Sequence, residues 1–187
     1  MNDRQKLLVV NEALKWIKRL DRIQHHIAET DVRMASAARC HMGKPFPDSI
    51  GFLQGLVTLE YFEDRMLEQY LIPIILRQID DHIRVLKSEW SGELAVKGKQ
   101  FRKMFRDSEV RELRNTLEHS ADYLVGKGRT PSLMLKNEPD PSIRTDSDSR
   151  EVVSVTLFGR QYVVKDLMSA ALDLVGPLND YKTALLE

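Results

Sequence analysis

The chain has 187 residues and a mass of 21.6 kDa, which is the size of one domain. Its 28 basic and 28 acidic residues balance to a formal net charge of zero, which excludes a histone-like or a strongly acidic protein. With 42% apolar residues the chain can build a core, and its single Cys40 excludes an intramolecular disulfide and a multi-cysteine zinc site.

The first predicted element is a long amphipathic helix. Apolar residues recur every three or four positions from Leu7 to Ile27, and cations face outward between them. The helix is expected to run toward Ala38, because the glycine and prolines of 43–47 must stop it. The outward cations are Lys15, Lys18, Arg19 and Arg22.

A second helix is predicted from a cap at Asp48 or Ser49, with a kink or restart at Pro73, an apolar pattern that runs to Leu86 and an end at Trp90-Ser91-Gly92. The third predicted helix, from Glu93 to about Phe105, contains Gly98, which costs about 1 kcal/mol relative to alanine. A fourth helix is expected from about Val110 to Leu124, because apolar residues again recur at spacings of three and four.

The rest of the chain is predicted to be less regular. Residues 127–150 contain three prolines among polar residues, which is typical of a mobile loop or lid. Alternating residues over 153–157 and 162–164 predict a β-hairpin, and a final helix follows with a break at Gly176-Pro177. The fold class is therefore mainly α: a single domain, 1–187, with an up-down bundle of four to five helices over 1–126, the loop 127–150, and a late β-hairpin and C-terminal helix over 151–187.

The fourth predicted helix carries the residues with the clearest chemistry. Asn115 and His119 lie one turn apart on one face, and Arg114 lies about 140° around the helix from His119. A histidine can transfer protons at neutral pH, and an arginine can stabilise charge that develops on a phosphate. This set is suited to cleavage of RNA without a metal ion, most easily across a subunit boundary.

The pattern Arg114-Asn115-Thr116-Leu117-Glu118-His119 resembles the R-x4-H signature of the HEPN superfamily of all-α bundles. The resemblance implies a homodimeric, metal-independent ribonuclease with a composite site and a cyclic phosphate product. It further implies His119 as general acid and base, Arg114 as phosphate stabiliser and Asn115 as the residue that orients them. The toxin branch of the family has a tyrosine two residues after the histidine, where this chain has Ala121.

A run of five cations without an acid precedes the motif helix and is a candidate RNA-binding surface. The alternative is an ordinary solvated helix face, with Phe101 and Phe105 in the core. The five cations are Lys97, Lys99, Arg102, Lys103 and Arg106.

Two main interpretations of the function stay open at this point, and a metal-dependent hydrolase is a minor third. One is a metal-independent ribonuclease or RNA-binding protein that acts as a homodimer. The other is a non-catalytic helical module that dimerises and binds a protein partner, with Arg114 paired to Glu118 and His119 inert.

No cofactor and no metal site is expected. Ligand types occur in three short groups, but neighbouring positions point apart on a helix, and none repeats the paired Glu-x-x-His pattern of di-iron bundles. These groups are Asp80-Asp81-His82, His25-His26 and Cys40-His41. No secretory signal or membrane-spanning run is evident, so we expect a cytoplasmic protein without membrane contact.

Overall fold

The computed structural model describes residues 1–41, 68, 70–111, 142–149, 151–157 and 160–187. The described chain is mainly helical and carries one small antiparallel sheet, which confirms the predicted fold class. Buried apolar residues from every helix and from the sheet form one core. None of the described helices is both long enough and apolar enough to cross a bilayer.

Helix α1 spans Asp3–His41 and buries the predicted apolar stripe, with Val10, Ile17 and Leu20 at most 1% exposed. It begins with a reciprocal cap. The backbone N–H of Gln5 donates to Oδ1 of Asn2 (2.9 Å), and the backbone N–H of Asn2 donates to Oε1 of Gln5 (3.0 Å). This capping box satisfies two backbone amides that otherwise lack partners at a helix start.

Helix α2 is described over residues 70–85 and continues through Pro73 without the predicted restart. A 3₁₀ turn, Leu86–Glu89, ends it, and α3 follows over Gly92–Asp107. Gly92 has φ +52°, a left-handed conformation that favours glycine at this tight junction.

Gly98 is buried in the middle of α3, where the Trp90 ring lies against it. A β-carbon at this position would come within 3.1 Å of the ring, which is closer than an ordinary van der Waals contact. The glycine that weakens α3 as an isolated helix therefore makes room for the tryptophan that packs on it.

The sheet contains β1 (Ser142–Thr145), β2 (Val152–Leu157) and β3 (Arg160–Val163) in the order β1-β2-β3, with both pairs antiparallel. The predicted hairpin is confirmed as β2 and β3, in which Val155 lies opposite Tyr162. Strand β1 corrects the prediction of an irregular 127–150 segment. Four residues with one apolar member, Ile143, are too short to show an alternating pattern.

Two C-terminal helices complete the described chain: α4 (Lys165–Leu172) and α5 (Val175–Ala184). They are separated at Asp173-Leu174, not at the predicted Gly176-Pro177. Pro177 lies in the first turn of α5, where a missing backbone amide proton breaks no helical hydrogen bond. Both α1 and α3 pack against α4 and α5.

Candidate functional site

The two described residues that precede the R-x4-H motif, Val110 and Arg111, are helical, and the first of them is anchored in the core. Ser108 closes α3 with its amide and hydroxyl both donating to the Phe105 carbonyl, and Val110 begins the next helical segment with 1% exposure. Arg111 is exposed on this segment. The predicted catalytic residues Arg114, Asn115 and His119 lie outside the described residues.

Helix α3 presents the predicted RNA-binding cations, and its inner face explains their direction. Leu94, Phe101 and Phe105 are buried on one side of the helix, and the rings of Phe101 and Phe105 stack with centroids 6.3 Å apart. The two rings therefore belong to the core, as the alternative interpretation expects. The cations are left to the flanks and the outer face of α3.

Two of the five cations tie α3 to its neighbours. Lys97 pairs with Asp173, between α4 and α5, at 3.0 Å, and Arg102 pairs with Asp80 on α2 at 3.0 Å. Asp80 is buried, and Arg77 approaches its second oxygen at 3.7 Å. These pairs hold α3 from both flanks, so Lys97 and Arg102 are already engaged within the protein.

The other three cations form an outer stripe, which we name the α3 basic stripe: Lys99, Lys103 and Arg106. All three are exposed, and at roughly 100° per residue they fall within an arc of about 60°. Within the part of the chain that the structure describes, none of them forms an ion pair. The α3 basic stripe thus presents three exposed charges that have no ion-pair partner among the described residues.

The aspartates considered as metal ligands are bound to arginines instead. Asp81 forms ion pairs with Arg77 at 3.0 Å and with Arg84 at 3.1 Å, while Asp80 is shared between Arg77 and Arg102. The Nδ1 of His82 donates to the carbonyl of Gln78 at 2.6 Å. Over the described ranges, no group of three His, Cys, Asp or Glu side chains could hold a metal ion.

The two adjacent histidines of α1 have different surroundings. His25 is largely exposed, and its Nδ1 lies 2.9 Å from the Asp21 carbonyl of its own helix. His26 is half exposed, and its Nδ1 lies 2.5 Å from Oε1 of Glu68, whose side chain is 8% exposed. Sequence analysis missed this pair, because 42 positions separate its members and neither belongs to a motif.

A groove of about 450 Å³ lies between α1 and the C-terminal helices. Its lining combines apolar residues with a lysine, an aspartate and an asparagine, which is the usual make-up of a binding cleft. The lining residues are Leu14, Ile17, Lys18, Asp21, Leu172, Val175 and Asn179.

One buried hydroxyl lies where α5 meets the start of α1. Burial raises the pKa of the Tyr181 hydroxyl above its ordinary value of 10.0, and the nearby Glu89 carboxylate raises it further. Lys6 bonds Glu89 at 3.0 Å and partly offsets this effect. The Tyr181 hydroxyl therefore keeps its proton at physiological pH.

Comparison of the chain with protein-family models, with curated proteins and with solved structures finds no match.

Proposed function

We propose that the chain binds single-stranded RNA and cleaves it without a metal ion, as a homodimer, through Arg114, Asn115 and His119. The observation that carries the proposal is the α3 basic stripe. Its last member, Arg106, lies eight positions before Arg114 in the sequence. A cationic surface that binds the phosphate backbone would thus be continuous along the chain with residues suited to phosphate transfer.

The proposed reaction is an internal transesterification of the RNA backbone. His119 accepts the proton of a ribose 2′-hydroxyl, and the 2′-oxygen bonds to the adjacent phosphorus. The bond from phosphorus to the 5′-oxygen breaks, and the imidazolium of the partner's His119 gives that oxygen a proton. The products are a 2′,3′-cyclic phosphate and a 5′-hydroxyl.

The other motif residues supply charge and orientation in this scheme. Arg114 stabilises the extra negative charge on the phosphate in the transition state, because its guanidinium is permanently charged and forked. Asn115, four positions before His119 in the sequence, orients the imidazole in this scheme. The roles of Arg114 and Asn115 are assigned from their positions in the sequence motif.

The decisive test is cleavage of a fluorescent single-stranded RNA in EDTA by the wild-type protein and by the His119→Ala and Arg114→Ala variants. Under this proposal both variants lose at least 100-fold in rate. Removal of the acid–base group His119 typically costs about that factor or more, and loss of the charge that Arg114 supplies to the transition state typically costs about 10²–10³. His25→Gln serves as the matched control and should cleave at the wild-type rate. Equal cleavage by all four proteins would reveal a contaminant and contradict the proposal.

The α3 basic stripe has its own test. Lys99→Gln/Lys103→Gln/Arg106→Gln should weaken RNA binding and reduce the slope of log affinity against log salt by about 2, at roughly 0.7 per phosphate contact. The control is Lys87→Gln/Lys182→Gln, which removes charge outside the stripe. An unchanged salt slope in the triple variant would remove the stripe from the proposed binding surface.

The groove between α1 and the C-terminal helices favours the second candidate, a non-catalytic module that binds a protein through an amphipathic helix. Val175, 38% exposed in the groove, is the residue to change. If the protein associates through this groove, Val175→Glu should shift the complex toward monomer in sedimentation. If the protein is a ribonuclease with its site elsewhere, the same variant should cleave RNA normally.

A further inference from the structure

The contact between His26 and Glu68 has the geometry of a positioned acid–base group. A carboxylate can only accept, so Nδ1 of His26 must carry the proton in this bond. The bond therefore leaves Nε2 as the ring nitrogen that does not bond Glu68, in a side chain that is 50% exposed. When the ring is protonated, that Nε2–H is a charged donor.

His26 belongs to an outward row of cations on α1, which we name the α1 basic stripe: Lys15, Arg19, Arg22 and His26. At roughly 100° per residue these four fall within an arc of about 60°, and at 1.5 Å per residue they extend over about 16 Å. All four are exposed or half exposed. The stripe is thus an ordered line of donors along one face of a helix.

The charge of the α1 basic stripe is only partly compensated. Lys15 pairs with Glu12 at 3.3 Å, and the guanidinium of Arg19 lies over the Trp16 ring at 4.4 Å. The Trp16 contact holds the arginine but leaves its charge in place. Arg22 forms no ion pair among the described residues, and it lies one turn before His26, where i and i+4 side chains meet.

We propose that His26 and Arg22 together bind a phosphate group of RNA, and that Glu68 is the positioning residue for His26. A phosphate oxygen accepts from Nε2–H of His26, while the guanidinium of Arg22 binds the same phosphate through its forked donors. Arg19 and Lys15 continue the contact along the backbone. The inference rests on the proposed function, because it takes RNA as the ligand.

The test is binding of a fluorescent 2′-O-methyl single-stranded RNA, which has no 2′-hydroxyl and cannot be cleaved. Fluorescence anisotropy at pH 6.0 and low salt gives the Kd of the wild-type protein and of each variant. His26→Gln is expected to weaken binding 5- to 10-fold. His25→Gln removes the neighbouring histidine, which has no buried carboxylate, and should leave the Kd within 2-fold of wild type.

Glu68 is tested by a conservative variant and by coupling. Glu68→Gln keeps an acceptor for Nδ1–H and should bind within 2-fold of wild type, whereas Glu68→Ala should lose as much affinity as His26→Gln. The double variant Glu68→Ala/His26→Gln should lose no more than either single variant. Circular dichroism of each variant checks that the fold persists, and the Glu68→Gln result stands if Glu68→Ala does not fold.

The outcomes separate this inference from the proposed function. Binding by the wild type and by His26→Gln with the same Kd would overturn the inference alone. An equal loss for His25→Gln and His26→Gln would reduce the effect to general surface charge and would also overturn it. No binding by the wild-type protein would overturn RNA binding itself, and the inference would fall with it.

Discussion

The two flanks of α3 are held by ion pairs of the same kind in different surroundings. On the α2 side, Asp80 and Arg102 have side chains 4% and 16% exposed, and on the C-terminal side Lys97 and Asp173 are 31% and 51% exposed. Both pairs are 3.0 Å long. The two distances are equal, so the two pairs differ in how far their side chains are exposed to solvent.

Burial makes the first pair costly to break. A buried charge that loses its partner keeps its desolvation penalty, whereas an exposed charge is solvated again by water. Arg77 and Arg102 both depend on the Asp80 carboxylate. The α2 side of α3 should therefore respond strongly to substitution and the C-terminal side only weakly.

The largest expected effect comes from Asp80→Ala. Loss of the buried carboxylate leaves two largely buried arginines without this partner, and we expect the free energy of unfolding to fall by about 3–5 kcal/mol. Urea denaturation followed by circular dichroism measures it. In the double variant Asp80→Leu/Arg102→Met, most of the stability should return, and failure to recover would show that packing, not charge, dominates at this position.

The second-largest loss in the free energy of unfolding should come from an uncharged contact on α3, between Gly98 and Trp90. Gly98→Val places a branched side chain against the Trp90 ring, so we expect a loss of about 1–3 kcal/mol from overpacking. The fluorescence quenching of Trp90 should also change in this variant, because the valine contacts its ring. Gly98→Val/Trp90→Leu makes room for the valine, and a double variant no more stable than Gly98→Val would contradict the steric explanation.

Asp173→Asn tests the exposed flank. The pair with Lys97 is half solvated, so the expected loss is below about 1 kcal/mol and should shrink further in 0.5 M salt. A loss as large as that of Asp80→Ala, measured in the same denaturation experiment, would remove the contrast between the two flanks.

The smallest effect concerns an exposed pair outside α3. Lys165 bonds Glu151 at 3.0 Å and lowers the pKa of that carboxyl below its ordinary value of 4.5. A lowered carboxyl pKa contributes stability that is present above pH 4.5 and is lost as the pH falls through the lower folded value. In Lys165→Gln the pKa of Glu151 should rise toward 4.5 in an NMR titration, and no change would assign the shift to Ser149 instead.

Local spacing was sufficient to predict that the described helices exist, but it could not predict contacts between residues far apart in the sequence. The three- and four-residue spacing of Val10, Ile17 and Leu20 predicts which face of α1 is buried, because helix geometry repeats over many turns. Strand β1 was missed because four residues carry too little pattern. The end of α4 was misplaced because Pro177 fits the first turn of a helix as well as it ends one.

The arrangement of the candidate site residues was harder to predict than the helices, because it depends on tertiary contacts. The sequence indicates that five cations share α3, but only packing shows that Lys97 and Arg102 are engaged by Asp173 and Asp80. His26 and Glu68 are 42 positions apart, so no local sequence pattern predicts their contact. The motif of Arg114, Asn115 and His119 remains a sequence-based prediction.

The length of α1 has a consequence for the order in which the protein can fold. Its buried face is covered in part by α4 and α5, which begin about 120 residues after α1 ends. At about 5–20 residues per second, a ribosome needs roughly 6–24 s to make that interval. The apolar face of α1 therefore stays partly uncovered until α4 and α5 have been synthesised, and Ile17 is among the residues that these helices help to cover.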